Sequence, residues 1–238
     1  HVATRLQTLD FASDGRAGWQ VRVSADGGEF GYSALADGKQ PVIVDGAINE
    51  AALADPFAEA DAVIATAREL WDSWEDGAEI RDAETGRFLD GDRVHHVNAQ
   101  TQWFSVAGPS IVPRPPSGQV LVTALAHSTV PYQLAVDGAD VVFVTPLEAN
   151  PLPEIVGEIR ELEGSSGRVE PLRIVADLVV AVGPDALQRV AALDAVAPLA
   201  SDAQLVAGTV SDVAQEIQRL WESGAEGIRL RPVSHAVD

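Results

Sequence analysis

The chain has 238 residues, 46% of them apolar, with a formal net charge of −20 and a pI near 4.4, which is enough for one large domain or two small ones around a sizeable core. An acidic surface of this kind repels nucleic acid and anionic membranes, because it offers no basic patch to release counterions. The lack of cysteine excludes disulfides, thiolate catalysis and cysteine-based metal sites, and no apolar run approaches the ~20 residues of a membrane-spanning helix.

The opening stretch, HVATRLQTLDFAS, reads as a helix with Val2, Leu6 and Leu9 on one face, stopped by Ser13-Asp14-Gly15. Residues 18–24 (GWQVRVS) read as a short strand. Residues 25–55 carry no clear period and read as a long loop. The next segment, 56–74, is a strongly amphipathic helix with Val63, Ala67, Leu70 and Trp74 on its apolar stripe. A polar, then proline-rich excursion fills 75–118, with one β segment expected at 102–106.

From residue 119 the pattern alternates. Strand 119–124 precedes helix 131–137, strand 140–145 precedes helix 151–163, and strand 172–182 precedes helix 184–193. Helix 210–223 then precedes strand 227–231. Such alternation implies βα units on a parallel sheet, and the continuous runs VVFV and LVV suit strands buried on both faces. The pattern alone leaves open a doubly wound sheet or a (β/α)8 barrel. No GxGxxG follows any strand, which weighs against a dinucleotide fold.

The loop Ala126-His127-Ser128-Thr129 sits between an expected strand end and a helix start. Free backbone N–H groups and the helix dipole favour an anion at such a place. Ser128 or Thr129 serves equally well there as an ordinary helix N-cap.

Residues 69–116, ELWDSWEDGAEIRDAETGRFLDGDRVHHVNAQTQWFSVAGPSIVPRPP, closely resemble a segment of the flavin-dependent monooxygenases of the bacterial-luciferase superfamily. The branch is the one with nitrilotriacetate, pristinamycin-synthesis and dibenzothiophene-sulfone monooxygenases. TLDFASDGRAGWQVRVS, DGADVVFVTP and GTVSDVAQEIQRLWESGAEGIRLRP are similar to further stretches of that family. The resemblance implies an α/β fold, a luciferase-like (β/α)8 TIM barrel, with this chain running from the third helix to the eighth strand. Residues 1–238 are then a single barrel domain with insertions at about 25–55 and 75–118. A barrel lacking its first strands exposes two long edges, so the sequence is expected to be incomplete. Its start at His1 and lack of any methionine give the same expectation.

The resemblance further implies a monooxygenase that takes reduced FMN from a separate flavin reductase and uses O2 to oxygenate a small organic substrate; a cytoplasmic location is the default expectation from the sequence. A homo-oligomer is expected, with 75–118 as a plausible interface element. Two alternatives stay open: a barrel that binds a flavin or other ligand without catalysis, and a deazaflavin-dependent oxidoreductase.

On this resemblance the ALAHSTVP loop falls on the family's phosphate loop. Ser128 and Thr129 keep hydroxyls there, His127 can add a charge-assisted bond, and Val130 or Pro131 replaces a glycine, as does Leu125. Gln20 falls at the flavin edge and Ser24 matches a motif serine. Arg22 is either a substrate anchor or the partner of an acid. Phe57 stands where relatives often carry a tyrosine that meets the cofactor. No catalytic residue is assigned and no metal site is expected. His95 and His96 point to opposite faces of an extended chain, which suits a structural role. The five tryptophans, Trp19, Trp71, Trp74, Trp103 and Trp221, are expected to pack rather than stack on a flavin. Asp10 and Arg16 are expected to form a salt bridge, and Asp72 and Glu75 are not an acid/base couple.

Overall fold

A computed structural model describes residues 1–23, 43–44, 47–48, 50–148 and 150–234. The chain divides into two compact units, His1–Thr123 and Ala124–Asp238.

The first unit begins with helix α1 (Val2–Ser13), which stops where Asp14 and Gly15 turn left-handed, at φ 56° and 74°. Its buried face is not the expected Val2, Leu6, Leu9 stripe. Ala3, Gln7 and Asp10 are buried, whereas Val2 and Leu9 are exposed. The reason lies in the proline-rich segment 110–117. Prolines cannot donate, so the carbonyls and turns around them need side-chain partners. Gln7 Nε2 donates to the carbonyls of Val112 and Pro113, and Gln7 Oε1 accepts from Ser110 Oγ at 2.6 Å. Asp10 accepts from Ala17 N, Ser117 N and Ser117 Oγ at 3.2, 2.9 and 2.8 Å. Arg16 therefore does not neutralise Asp10; its Nε donates to Ser13 O instead.

Strand β1 (Gly18–Val21) follows, then the paired backbone segments β2 (Ile43–Val44) and β3 (Ala47–Ile48). Helix α2 (Glu50–Asp72) starts several residues before the expected position, with Pro56 inside it. Its buried stripe is Ile64, Ala67, Trp71 and then Trp74, one residue out of step with the expected Val63 and Leu70. The two indoles set this rotation. Trp71 is fully buried and donates to Ala3 O, Trp74 donates to Ser110 O, and Trp19 meets Trp71 edge to face at 6.5 Å.

The excursion after α2 holds two antiparallel hairpins. They are β4 (Glu79–Asp82) with β5 (Arg87–Leu89), and β6 (Val97–Gln100) with β7 (Ser105–Gly108). The expected strand at 102–106 thus straddles a turn and the first part of β7. The polar sequence of β6, VNAQ, hid its period.

Strand β8 (Leu121–Ala126) carries the chain into the second unit. There α3 (Thr129–Gly138), β9 (Val141–Val144), α4 (Leu152–Ser166), β10 (Arg173–Val182), α5 (Ala186–Val196), β11 (Leu205–Gly208), α6 (Val210–Glu222) and β12 (Gly227–Pro232) alternate as expected. Only β11 escaped the sequence reading, since LVAG is too short to show a period. The sheet is parallel around the long β10. Strand β9 pairs with Arg173–Ala176, β12 with Val175–Val180 and β11 with Val179–Val182. One sheet face presents Val142, Val144, Ile174, Ala176 and Leu178, all fully buried, and α5 and α6 pack on β10. Thr209 and Asp212 cap α6 reciprocally, and a Cβ on Gly208 would lie 2.5 Å from the Asp212 carboxylate. No helix among the described residues is long and apolar enough to cross a membrane.

Asp10 is fully buried, so its loss strands three donors at once. Asp10→Ala is expected to cost about 2–3 kcal/mol, read as a lower denaturant midpoint at unchanged slope.

Candidate functional site at the C-terminal ends of the parallel strands

Strand β8 ends at Ala126, and the chain turns through His127 and Ser128 into α3. Ser128 is the N-cap residue, extended at φ −158°, but its hydroxyl does not cap the helix. Among the described residues the N–H groups of Thr129 and Val130 have no partner, and Pro131 has none to offer. His127, Ser128, Thr129 and Val130 are all exposed. Two backbone donors, a free hydroxyl and a helix start fit an anionic group such as a phosphate. One feature opposes it: the Thr129 hydroxyl donates to the Glu158 carboxylate of α4.

Just behind this turn Tyr132 is buried. Burial, and then the Glu158 carboxylate, push its phenol above the ordinary value, while the Asn150 side chain acts the other way. Its hydroxyl meets no partner in hydrogen-bond geometry.

His127 is held at both ring nitrogens. Nδ1 lies 2.7 Å from Thr145 Oγ1, just past the end of β9, and Nε2 lies 3.1 Å from Asp202 Oδ2. Asp202 leads onward, because its other oxygen lies 3.5 Å from Arg231 Nη1.

Arg231 belongs to a charged group that sequence reading missed. Alternate residues of a strand share a face, so Asp177 on β10 and Arg229 and Arg231 on β12 lie together, opposite the apolar layer. Asp177 is fully buried. Arg229 grips it with two bonds, Nε to Oδ1 at 2.6 Å and Nη2 to Oδ2. The same guanidinium stands 3.9 Å from the ring centre of Phe143 on β9. The signal was present in the sequence: one acid inside the apolar run LRIVADLVVAV, and two arginines two apart in GIRLRP. A charge in a strand that is otherwise apolar must find a partner, and alternation gives the face.

A cleft of about 550 Å³ opens near the same strand ends, lined by Val180, Val182, Arg189, Leu193 and Pro232. These strand residues alternate to the helix-covered face, so the cleft and the charged group lie on opposite sides of the sheet.

The other sequence-predicted positions lie in the first unit. Gln20 and Arg22 are exposed at the end of β1, and Phe57 is half-buried in α2. Ser24 falls outside the described residues, as does His235. His95 binds Glu75 at 2.6 Å on the surface, while Asp72 pairs with Arg114 at 2.8 Å. Trp103 donates to Asp55, but Trp221 is 61% exposed and does not pack as expected. Among the described residues no cluster of three or more His, Asp or Glu could hold a metal.

No family model matches the chain. It is 32% identical over 169 residues, 71% of its length, to N-acetyl-S-(2-succino)cysteine monooxygenase of Bacillus subtilis, covering 35% of that protein. It is 31% identical over 185 residues, 76% of its length, to nitrilotriacetate monooxygenase component A of Aminobacter aminovorans, covering 38% of that protein. The chain thus spans little more than a third of the length of the curated relatives it matches. Among solved structures, a riboflavin lyase with modified FMN and riboflavin superimposes with a TM-score of 0.79 at 21% identity, over 98% of this chain and 63% of that one.

Removing the Asp177 carboxylate leaves Arg229 without its partner inside the sheet. Asp177→Ala is expected to destabilise the fold by about 3–5 kcal/mol in chemical denaturation, whereas replacing Asp177 and Arg229 together by Leu and Met should cost far less.

Proposed function

We propose that this chain, which belongs to the luciferase-like flavin-dependent monooxygenase superfamily, forms part of the oxygenase component of a two-component system. Its strands β8, β9, β10 and β12 are then successive strands of a (β/α)8 barrel, and their C-terminal ends line the mouth where barrel enzymes do chemistry. Reduced FMN from a separate reductase would supply the activation of O2, and a small organic molecule would be oxygenated. A cytoplasmic, homo-oligomeric enzyme suits this reading.

The observation that carries the site is the turn after β8. The N–H groups of Thr129 and Val130 and the Ser128 hydroxyl are open toward an incoming phosphate, at the positive end of α3. Thr129 would exchange Glu158 for the phosphate, while His127, held between Thr145 and Asp202, would border the site. The buried Tyr132 behind the turn fixes the course of α3. On the family resemblance alone, Gln20, Ser24 and Val130 are proposed as cofactor-contact positions and Arg22 as a substrate-contact position. The role of these residues is to bind and orient the flavin and to exclude water while it reacts.

An anaerobic titration of the full-length protein with reduced FMN tests this, beside oxidised FMN and a deazaflavin. Reduced FMN is expected to bind in the micromolar range. Ser128→Ala with Thr129→Ala should weaken it by about ten- to a hundredfold, the worth of one or two charge-assisted bonds. Preference for the deazaflavin, with hydride transfer and no O2 uptake, would reject the monooxygenase. Binding of no flavin at all would remove the cofactor from the reading.

A further inference from the structure

The charged group on the open sheet face is unevenly satisfied. Arg229 holds Asp177 with two charge-assisted bonds along its Nε–Nη2 edge and rests on Phe143, so its guanidinium is fixed. Arg231 is different. Its contacts are Nη1 to Asp177 at 3.4 Å and Nη1 to Asp202 at 3.5 Å. Charge-assisted bonds of this type normally close to about 2.7–2.9 Å. Among the described residues Arg231 Nε and Nη2 show no partner, and the side chain is 42% exposed. Both carboxylates it touches are better served elsewhere, Asp177 by Arg229 and Asp202 by His127 at 3.1 Å.

Position sharpens the contrast. Arg231 lies one residue before the end of β12, at the C-terminal edge of a parallel sheet. It is linked through Asp202 to His127, in the turn after β8. In a chain of net charge −20, a half-exposed cation with spare donors stands out at the strand ends where α/β proteins bind ligands.

We infer that Arg231 anchors an oxyanion of the bound ligand at the strand ends. The anion would take the open Nε–Nη2 edge as a two-point partner and displace the long contact to Asp202, which His127 retains. Asp177 and Arg229 act as positioning residues, holding the face on which Arg231 stands. The oxyanion is a carboxylate of the substrate or the phosphate of the cofactor. The inference rests on the reading of the strand ends as a ligand site, though not on the ligand being a flavin.

Two matched pairs of probes separate the sources in calorimetric titrations of the full-length protein under anaerobic conditions. Succinate against succinamide tests a carboxylate, and reduced FMN against reduced riboflavin tests the phosphate. The native protein is expected to favour the anionic member of at least one pair by about tenfold or more, and Arg231→Gln should abolish that preference. Arg231→Lys should retain part of it. Asp202→Asn should tighten the anion several-fold by releasing Arg231, a gain that a merely structural arginine would not give. Arg219→Gln, on an exposed face of α6, should change nothing. No preference in either pair, a preference that survives Arg231→Gln, or an Asp202→Asn variant that binds no tighter would overturn the inference. Carboxylate discrimination without any flavin binding would remove the flavin and leave the oxyanion site. Flavin binding indifferent to Arg231 in both pairs would do the reverse.

Discussion

The second unit depends on a carboxylate sealed in the middle of its sheet. Asp177 sits halfway along β10, the strand that pairs with three others, and no water reaches it. An ionised carboxylate there is tolerated only with a fixed cation and most of its lone pairs engaged. Arg229 meets that demand from the neighbouring strand, and the ring of Phe143 on the other side meets the guanidinium. Register follows from this. A slip of β12 by one residue would turn Arg229 to the apolar face and leave Asp177 alone. A hydrophobic pair would hold two strands as well, but it would not select between registers so sharply. The same constraint places Asp177, Arg229 and Arg231 on one sheet face, opposite the apolar layer.

The first unit solves an analogous problem by different means. Its proline-rich segment exposes carbonyls and lacks donors. Helix α1 turns its polar side, Gln7 and Asp10, into that segment and leaves Val2 and Leu9 outward. The indoles of Trp71 in α2 and Trp74 just after it extend the arrangement by donating to the Ala3 and Ser110 carbonyls. In both units buried polar groups, not apolar stripes, decide orientation. An unpaired buried donor or acceptor costs about as much as burying a whole aliphatic side chain contributes.

This explains where sequence reading failed. Continuous apolar runs such as VVFV located β9 and β10 closely, because strands buried on both faces need no alternation. Helices α4 and α6 carried strong stripes or capping signals and were placed within a few residues. Periodicity chose the wrong face of α1, since it scores apolar residues alone, and for the next helix it placed Ala67 and Trp74 correctly but missed Ile64 and Trp71. The turn after β8 was legible from its place between strand and helix, and the proposal of a ligand site there rests on that place. Its electrostatics were not: Glu158 comes from α4, Thr145 from the end of β9 and Asp202 from ahead of β11. Polar groups brought together from four segments leave no local pattern.

The sequence alone determined the alternation of strands and helices, the parallel sheet, the strand-to-helix turn at residues 126–131 and, through the WDSWED and PRPP blocks, the superfamily. These rest on local period, turn chemistry and motif. Only the tertiary structure decided that Asp177, Arg229 and Arg231 share a face and that His127 is held between Thr145 and Asp202. It also decided that Arg231 makes only long contacts, to Asp177 and Asp202, among the described residues. Those facts depend on strand register and on contacts between residues far apart in the chain, 52 positions for Asp177 and Arg229, and a charged side chain reveals its role only when its partners are in place.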